Sequence, residues 1–378
     1  MVNDDSLSAD RRYGIMKKRI IICLDGCSPE YLDQSEIPNL SRLAREGFRV
    51  TGRAVMPSVT NVNNVTIVTA SYPEIHGITS NYYLDPASGE AYYMESSQFV
   101  QAETLFRKIR RFGGKSALLT AKEKLKNLIQ DGADYVETAE NPSAWLVDRI
   151  GAPPAIYSIE VNHWLFLAAR VLLAERPIDT LYLATTDYVN HKFGPQSERS
   201  QWNMNRLDSL LGDILNVGSD IEMVITADHG MNAKTRALDL NRILKASGIS
   251  ATVIPIIKDR YVVHHRNLGG SAYVYLADIA AEADAAAVLN QEAGIESVLP
   301  AGEAARTYRL CPDRIGQLFV LADKETVFGD LPRPRETVAI RSHGSLHEVK
   351  IPIIGYGPGP VSMRPASNHE IAAWIGGV

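Results

Sequence analysis

Thr60 lies in Met56-Pro57-Ser58-Val59-Thr60-Asn61-Val62-Asn63-Asn64, just after a proline turn. A helical pattern follows, with apolar residues at Val62, Val65, Ile67, Val68 and Ala70 before Tyr72-Pro73 stops the run. A hydroxyl at such a boundary reads in two ways. It can be an N-cap, its oxygen accepting from the first free backbone N–H groups. It can also be a nucleophile, because those N–H groups and the helix dipole favour a phosphoryl group at the same place. Four other stretches hold residues of metal-ligand type: Asp25, Asp187 with His191, Asp228-His229, and His347. Each Asp alone is an ordinary turn former. Together they make three Asp, three His and one Thr. Asp187 and His191 are four apart, so on a helix they share a face and can grip one ion. Mixed carboxylate–imidazole ligation suits Zn²⁺, with Mn²⁺ or Fe²⁺ as substitutes.

So many ligands imply two ions per chain. We assign Asp25, Thr60, Asp228 and His229 to one and Asp187, His191 and His347 to the other. Paired ions about 3.5–4 Å apart clamp in-line displacement at phosphorus, and the first would make the Thr60 hydroxyl a competent nucleophile.

The elements that must position these residues are legible as strands. Ile20–Leu24, Thr180–Thr185 and Glu222–Ala227 are short apolar runs, the signature of buried parallel strands. Each ends in a ligand candidate, and ligands of open α/β sheets bind beyond the carboxyl ends of strands. Helical stretches alternate with them at Pro38–Gly47, Glu103–Phe112, Trp164–Glu175 and Trp202–Leu215. This predicts a doubly wound, mostly parallel α/β core. Residues 235–340 read differently, with alternating runs at Tyr261–His264 and Ala272–Leu276 and a helix at Ala280–Gln291. They predict an inserted α+β cap lobe on a core of 18–234 and 341–378, with 1–17 a loose arm.

The chain has 378 residues, 45% hydrophobic and 22% charged, a soluble globular composition. A net charge of −5 with no basic block predicts no nucleic-acid and no membrane partner. Three cysteines, Cys23, Cys27 and Cys311, form no disulfide framework, and Ile20–Leu24 is too short for a membrane span. The expected location is cytoplasmic, and a homodimer is compatible with the sequence.

Taken in order, the motifs resemble the alkaline phosphatase superfamily, in its nucleotide pyrophosphatase/phosphodiesterase branch. They are Asp25-Gly26, Pro57-Ser58-Val59-Thr60-x-x-Asn63, Pro73-Glu74-x-His76-Gly77, Asp187-x-x-x-His191-x-x-Gly194-Pro195, Asp228-His229-Gly230-Met231 and Gly344-Ser345-Leu346-His347. The resemblance spans about 18–360 and implies two zinc ions and a covalent phospho-threonine at Thr60. Family phosphodiesterases carry an aromatic residue after the nucleophile, where this chain has Asn61. The pattern around Thr60, with His76-Gly77-Ile78-Thr79-x-Asn81-x-Tyr83 and Thr120-Ala121-Lys122-x-Lys124-Leu125, is similar to the phosphonoacetate hydrolases of that branch. That likeness implies a small anionic phosphonate substrate, with Asn81, and more weakly Asn63, donating to phosphonyl oxygens.

Lys122 and Lys124 are two apart, so in extended backbone both point to one side. They read either as a solvated turn or as point charges for a substrate carboxylate. Cleaving the carbon–phosphorus bond of phosphonoacetate leaves a carbanion that spreads onto its carboxylate. Fixed cations there would bind the transition state more strongly than the ground state. The expected function is therefore a two-zinc hydrolase giving acetate and phosphate, with Thr60, Lys122 and Lys124 catalytic. The alternative is a nucleotide pyrophosphatase/phosphodiesterase on the same fold. A non-catalytic binding protein is a third reading, but it predicts missing ligand residues.

Overall fold

The computed structural model describes residues 18–85, 88–260, 266–357 and 364–376. The expected arm at 1–17, the turn residues Pro86-Ala87, and the whole run Tyr261–His264 with its neighbour His265 lie outside them.

In chain order the strands begin with β1 (Lys18–Cys23) and β2 (Phe48–Arg53). A hairpin follows, β3 (Tyr82–Leu84) and β4 (Ala91–Tyr93), then β5 (Ser116–Thr120), β6 (Tyr135–Thr138), β7 (Thr180–Ala184) and β8 (Ile221–Thr226). Next come β9 (Asn232–Leu238), β10 (Ala251–Pro255), β11 (Ser271–Leu276), β12 (Ile295–Pro300) and β13 (Leu318–Ala322). The chain closes with β14 (Thr326–Phe328), β15 (Arg335–Ser342) and β16 (Lys350–Tyr356).

Seven of these form one sheet in the order β2-β16-β8-β1-β7-β5-β6. The pairings β8–β1, β1–β7, β7–β5 and β5–β6 are parallel, and β16 runs antiparallel to both β8 and β2. Strands β1, β7 and β8 are apolar throughout their inner lengths because both faces of the sheet are covered. On one side lie the helices Glu160–Glu175 and Glu198–Leu215; α1 (Thr60–Thr69) packs elsewhere against the core. The doubly wound α/β core is therefore as the apolar runs predicted. The sequence reading passed over β2 and β6. β2 is an edge strand with exposed alternate residues, and β6 is only half buried.

The segment between β9 and β15 carries a second, four-stranded antiparallel sheet, β10-β11-β13-β12. Its two faces go to different cores. Ala272, Val274, Leu318 and Val320 pack under the helices Leu240–Ala246 and Glu282–Asn290. Tyr273, Tyr275, Phe319 and Leu321 alternate with them and join the main core. The Tyr273 hydroxyl donates to Thr79 O at 3.1 Å. β9 and β15 pair with each other at the base of this excursion, so the chain positions 235 and 340 fall inside strands. Among the described residues no helix is long and apolar enough to cross a membrane.

Candidate active site

The carboxyl ends of β1, β7 and β8 bring Asp25, Asp187 and Asp228-His229 together, all buried. Asp25, Asp228 and His229 form one group of converging ligand atoms; Asp187, His229 and His343 form another, each within 4.8 Å. His191 joins the second, its Nε2 2.9 Å from Asp187 Oδ2 on the short helix Tyr188–Lys192. The i, i+4 reading of that pair thus holds.

One ligand assignment is corrected. His347 does not reach the cluster: its Nε2 lies 2.5 Å from Glu296 Oε2 at the lobe, and the ring is about a third exposed. His343 takes the place, its Nε2 3.7 Å from Asp187 Oδ2 and its ring stacked on His229 at 3.7 Å between centroids. The motif is Ser342-His343-Gly344-Ser345, directly beyond β15. The strand-end rule that found the other ligands would have found His343 too. But β15 alternates exposed and buried residues, so it shows no apolar run to mark its end.

The three imidazoles are oriented alike. Nδ1 of His191 lies 2.8 Å from Arg341 O, that of His229 2.9 Å from Gly230 O, and that of His343 2.9 Å from Ser58 O. Each Nδ1–H donates to a carbonyl, which leaves Nε2 as the free lone pair facing the carboxylates. Burial, then the neighbouring His229 and His191, hold the His343 ring well below the ordinary imidazole value, so it is neutral as a ligand must be.

The carboxylates are also held. Asp228 Oδ1 accepts from Gly26 N at 3.1 Å and His229 N at 3.0 Å, and its Oδ2 from Asn64 Nδ2 at 3.2 Å. Asn64 is fixed in turn by the Tyr182 hydroxyl at 2.7 Å. Asp25 Oδ1 is buried with no hydrogen-bond partner, 3.4 Å from His229 Nε2. Burial, then the Asp228 and Asp187 charges, push the Asp25 carboxyl well above its usual range, against a smaller opposing pull from Lys122. An orphaned carboxylate oxygen, three acids packed together and three Nε2 atoms turned inward are a donor set that fits divalent cations of the zinc type.

Thr60 is the first residue of α1, and Val59 occupies the N-cap position with no side-chain cap bond. The hydroxyl is thus not spent as a cap. Its Oγ1 lies 3.3 Å from His229 Nε2, within the first group. Asn63 is a second correction. Its Nδ2 donates to Val55 O, Pro57 O and Val59 O at 3.1–3.2 Å, and its Oδ1 accepts from Val55 N and Asn368 Nδ2. Its polar sites are taken up by the loop that presents Thr60 and by Asn368, so Asn63 shapes the site and does not touch substrate.

Asp25, Thr60, Asp187 and His343 line a cavity of about 60 Å³, and Asn81, Lys122, Lys124 and Asp259 line it as well. The two lysines do not lie on one extended strand. Lys122 is the N-cap residue of α2 (Glu123–Ile129) and Lys124 lies in its first turn. They nevertheless reach one cavity. Lys122 Nζ lies 5.5 Å from the Tyr157 ring centroid, with no ion pair to a carboxylate among the described residues. Lys124 pairs with Asp259 and lies 3.8 Å from Glu95. Asn81 Nδ2 donates to Asp259 Oδ1 at 3.1 Å, and its Oδ1 has no partner. Sequence reading missed Asp259 and Asn64 altogether. Arg314 is tied to the carbonyls of Gly77 and Phe99, and Arg266 to Glu336; neither is among the residues lining the cavity. His76 is wholly buried against Thr66, a structural residue, and Cys27 is buried with its thiol pushed up to about 12.

Residues 19–346 match the family model for type I phosphodiesterase / nucleotide pyrophosphatase. The chain belongs to that family. The solved phosphonoacetate hydrolase of Sinorhizobium meliloti 1021, in complex with phosphonoacetate, superimposes with a TM-score of 0.85 at 32% identity, covering 94% of each chain. Its complex with phosphonoformate gives 0.84. A venom phosphodiesterase of Naja atra is 30% identical over 227 residues, 57% of this chain. A pyrophosphatase/phosphodiesterase of Schizosaccharomyces pombe is 26% identical over 61% of it. The match spans only 26% and 48% of those two proteins' own lengths. Family membership gives the chain the fold of the alkaline phosphatase superfamily, and its Asp/His clusters are groups able to hold metal ions.

Proposed function

We propose that the chain hydrolyses phosphonoacetate to acetate and phosphate. The observation that carries this reading is the meeting of Lys122 with Thr60 and the acid–imidazole cluster in one small cavity. Support also comes from the likeness, over 94% of the chain, to the hydrolase solved with phosphonoacetate. Asp25, Thr60, Asp228 and His229 would hold one divalent ion and Asp187, His191 and His343 the other, with zinc the ion this donor set suits. Bound there, the ions supply Lewis acidity to the Thr60 oxygen and to the phosphonyl oxygens.

The chain's own residues do the rest. Thr60 gives up its proton to solvent, and its Oγ1 forms the bond to phosphorus as the carbon–phosphorus bond breaks. The electron pair moves to the methylene carbon and spreads onto the carboxylate as an enediolate. Lys122 faces that carboxylate and stabilises the charge that develops there. A solvent proton completes acetate. Water then cleaves phospho-Thr60, releasing phosphate and restoring the hydroxyl.

The family itself favours a second reading, nucleotide pyrophosphatase/phosphodiesterase activity. Against it, Asn61 stands on the cavity wall where that branch has an aromatic, its amide donating to Met94 O at 3.0 Å. The deciding assay is phosphate release from phosphonoacetate beside a nitrophenyl phosphodiester, for the wild type, Thr60→Ala and Lys122→Ala. We expect wild-type phosphate release, none from Thr60→Ala, and a selective loss on phosphonoacetate in Lys122→Ala. An inert phosphonoacetate with brisk diester turnover in wild type and Lys122→Ala alike would sink the proposal.

A further inference from the structure

Among the described residues two cations face the cavity, and of these Lys122 alone has no ion pair to a carboxylate. Lys124 is held by Asp259, a residue of the lobe, and lies 3.8 Å from Glu95. Asp259 Oδ1 also accepts from Asn81 Nδ2. A lobe carboxylate oxygen therefore sits between two groups that would otherwise meet an anionic ligand. Its placement is built. Asn267 clamps the Asp259 backbone from both sides, accepting from Asp259 N and donating to Asp259 O, each at 3.1 Å. The adjacent Arg260 reaches 3.3 Å from Glu95 and lies over the Tyr93 ring, so the same lobe segment docks on the β3–β4 hairpin. The Asp259 and Lys124 side chains are each only about a fifth to a quarter exposed, so the pair is weakly screened.

We infer that Asp259 sets the charge of the carboxylate-binding end of the cavity and so limits which anions it takes. The inference rests on the phosphonoacetate reading. Asp259 neutralises Lys124 and repels a substrate carboxylate, which leaves Lys122 as the cation that engages it. The site then accepts a phosphonate bearing one small carboxylate and disfavours more highly charged organic anions. Lys122 and Lys124 thereby differ in task. Lys122 receives the substrate, and Lys124 ties the lobe to the core through Asp259.

The test compares wild type, Asp259→Asn and Asp259→Glu, all loaded with zinc and checked for intact folding by thermal melting. KM and kcat are measured for phosphonoacetate and for a nitrophenyl phosphodiester, and malonate is titrated as a dicarboxylate inhibitor of diester turnover. In Asp259→Asn the ratio of the phosphonoacetate KM to the diester KM should fall roughly three- to tenfold, the effect of one partly screened charge on a bound anion. Malonate should inhibit that variant more strongly by a similar factor, and Asp259→Glu should stay near wild type in both. A KM ratio that is unchanged or raised in Asp259→Asn, with malonate inhibition unaltered, overturns the inference: Asp259 is then only a tie that positions Lys124. Wild type inert toward phosphonoacetate refutes the functional reading instead, and the malonate titration still decides the role of Asp259.

Discussion

Replacing His343 and replacing His347 should have opposite consequences. His343 is 4% exposed, accepts its orientation from Ser58 O, and turns Nε2 toward Asp187. It is one of three side chains proposed for the second ion, beside Asp187 and His191. Loss of a group that merely orients a ligand costs about 10–100-fold in metal affinity, so losing the ligand itself should cost about 100-fold or more. A factor of 100 is about 2.7 kcal/mol. His343→Ala also unstacks His229, the residue shared by both groups of ligand atoms, so the first ion should be held less tightly as well. His347→Ala removes a partly exposed pair with Glu296, worth at most about 1 kcal/mol of stability. The assay is metal content by mass spectrometry after exhaustive dialysis, followed by turnover at graded zinc. We expect His343→Ala to retain about one ion or fewer and to need far more zinc, while His347→Ala keeps two ions and activity within about twofold. Two ions in His343→Ala together with a lost ion in His347→Ala would refute the geometry.

Chelation should make stability newly pH-dependent. With burial, Asp228 and Asp187 raising the Asp25 carboxyl, the metal-free fold is favoured while Asp25 stays protonated and loses that stability as pH rises through the raised value. The gap in melting temperature between zinc-loaded and chelated protein should therefore widen from pH 5 to pH 8, and a constant gap would contradict the acid cluster. His76 acts in the other direction. Its Nδ1 accepts from Ile78 N, and burial lowers the ring to about 3 from an unfolded value of 6.5. The unfolded chain alone takes the proton in that window, so stability is full above pH 6.5 and falls by about 2 kcal/mol by pH 5. Denaturant titrations of His76→Gln should show that slope reduced; an identical slope would show that His76 is not its source. Asn63→Ala removes the side-chain partner of Val55 N–H, Val55 O and the Asn368 amide, while Pro57 O and Val59 O keep backbone donors, and should lower unfolding free energy by about 3 kcal/mol, with catalysis impaired because the Thr60 loop loosens. Urea unfolding checks it, and a cost under about 1 kcal/mol would mean the loop has other supports.

How far the sequence could be read follows from which strands carry the site. The parallel strands β1, β7 and β8 are apolar on both faces, so their ends, and Asp25, Asp187 and Asp228 beyond them, were marked by composition alone. β15 is antiparallel, paired among the described residues with β9 alone, and half exposed, so nothing in its composition marks Ser342 as an end. His347, four residues beyond His343 and inside a plausible Gly-Ser-Leu-His motif, carries the stronger sequence signal but pairs with Glu296 instead. Asp259 was illegible for another reason. It meets Lys124 across 135 residues of chain, and only the docking of the lobe sheet on the main core puts them together.

Asn63 and Asn64 show the limit at its sharpest. They are adjacent in sequence and identical in type, and α1 separates their directions by about 100°. Asn63 turns back onto the Val55–Val59 loop and Asn64 turns to Asp228, so one builds the turn that presents the nucleophile and the other aims a ligand. The same division runs through the histidines. Their identity as ligands is a property of type and spacing, but which nitrogen they offer is set by the carbonyls of Arg341, Gly230 and Ser58, each supplied by backbone geometry. Chemistry-bearing residues could be read from the chain because their types are restricted. The groups that orient them could not, since any residue supplies a carbonyl and only the fold decides where it points.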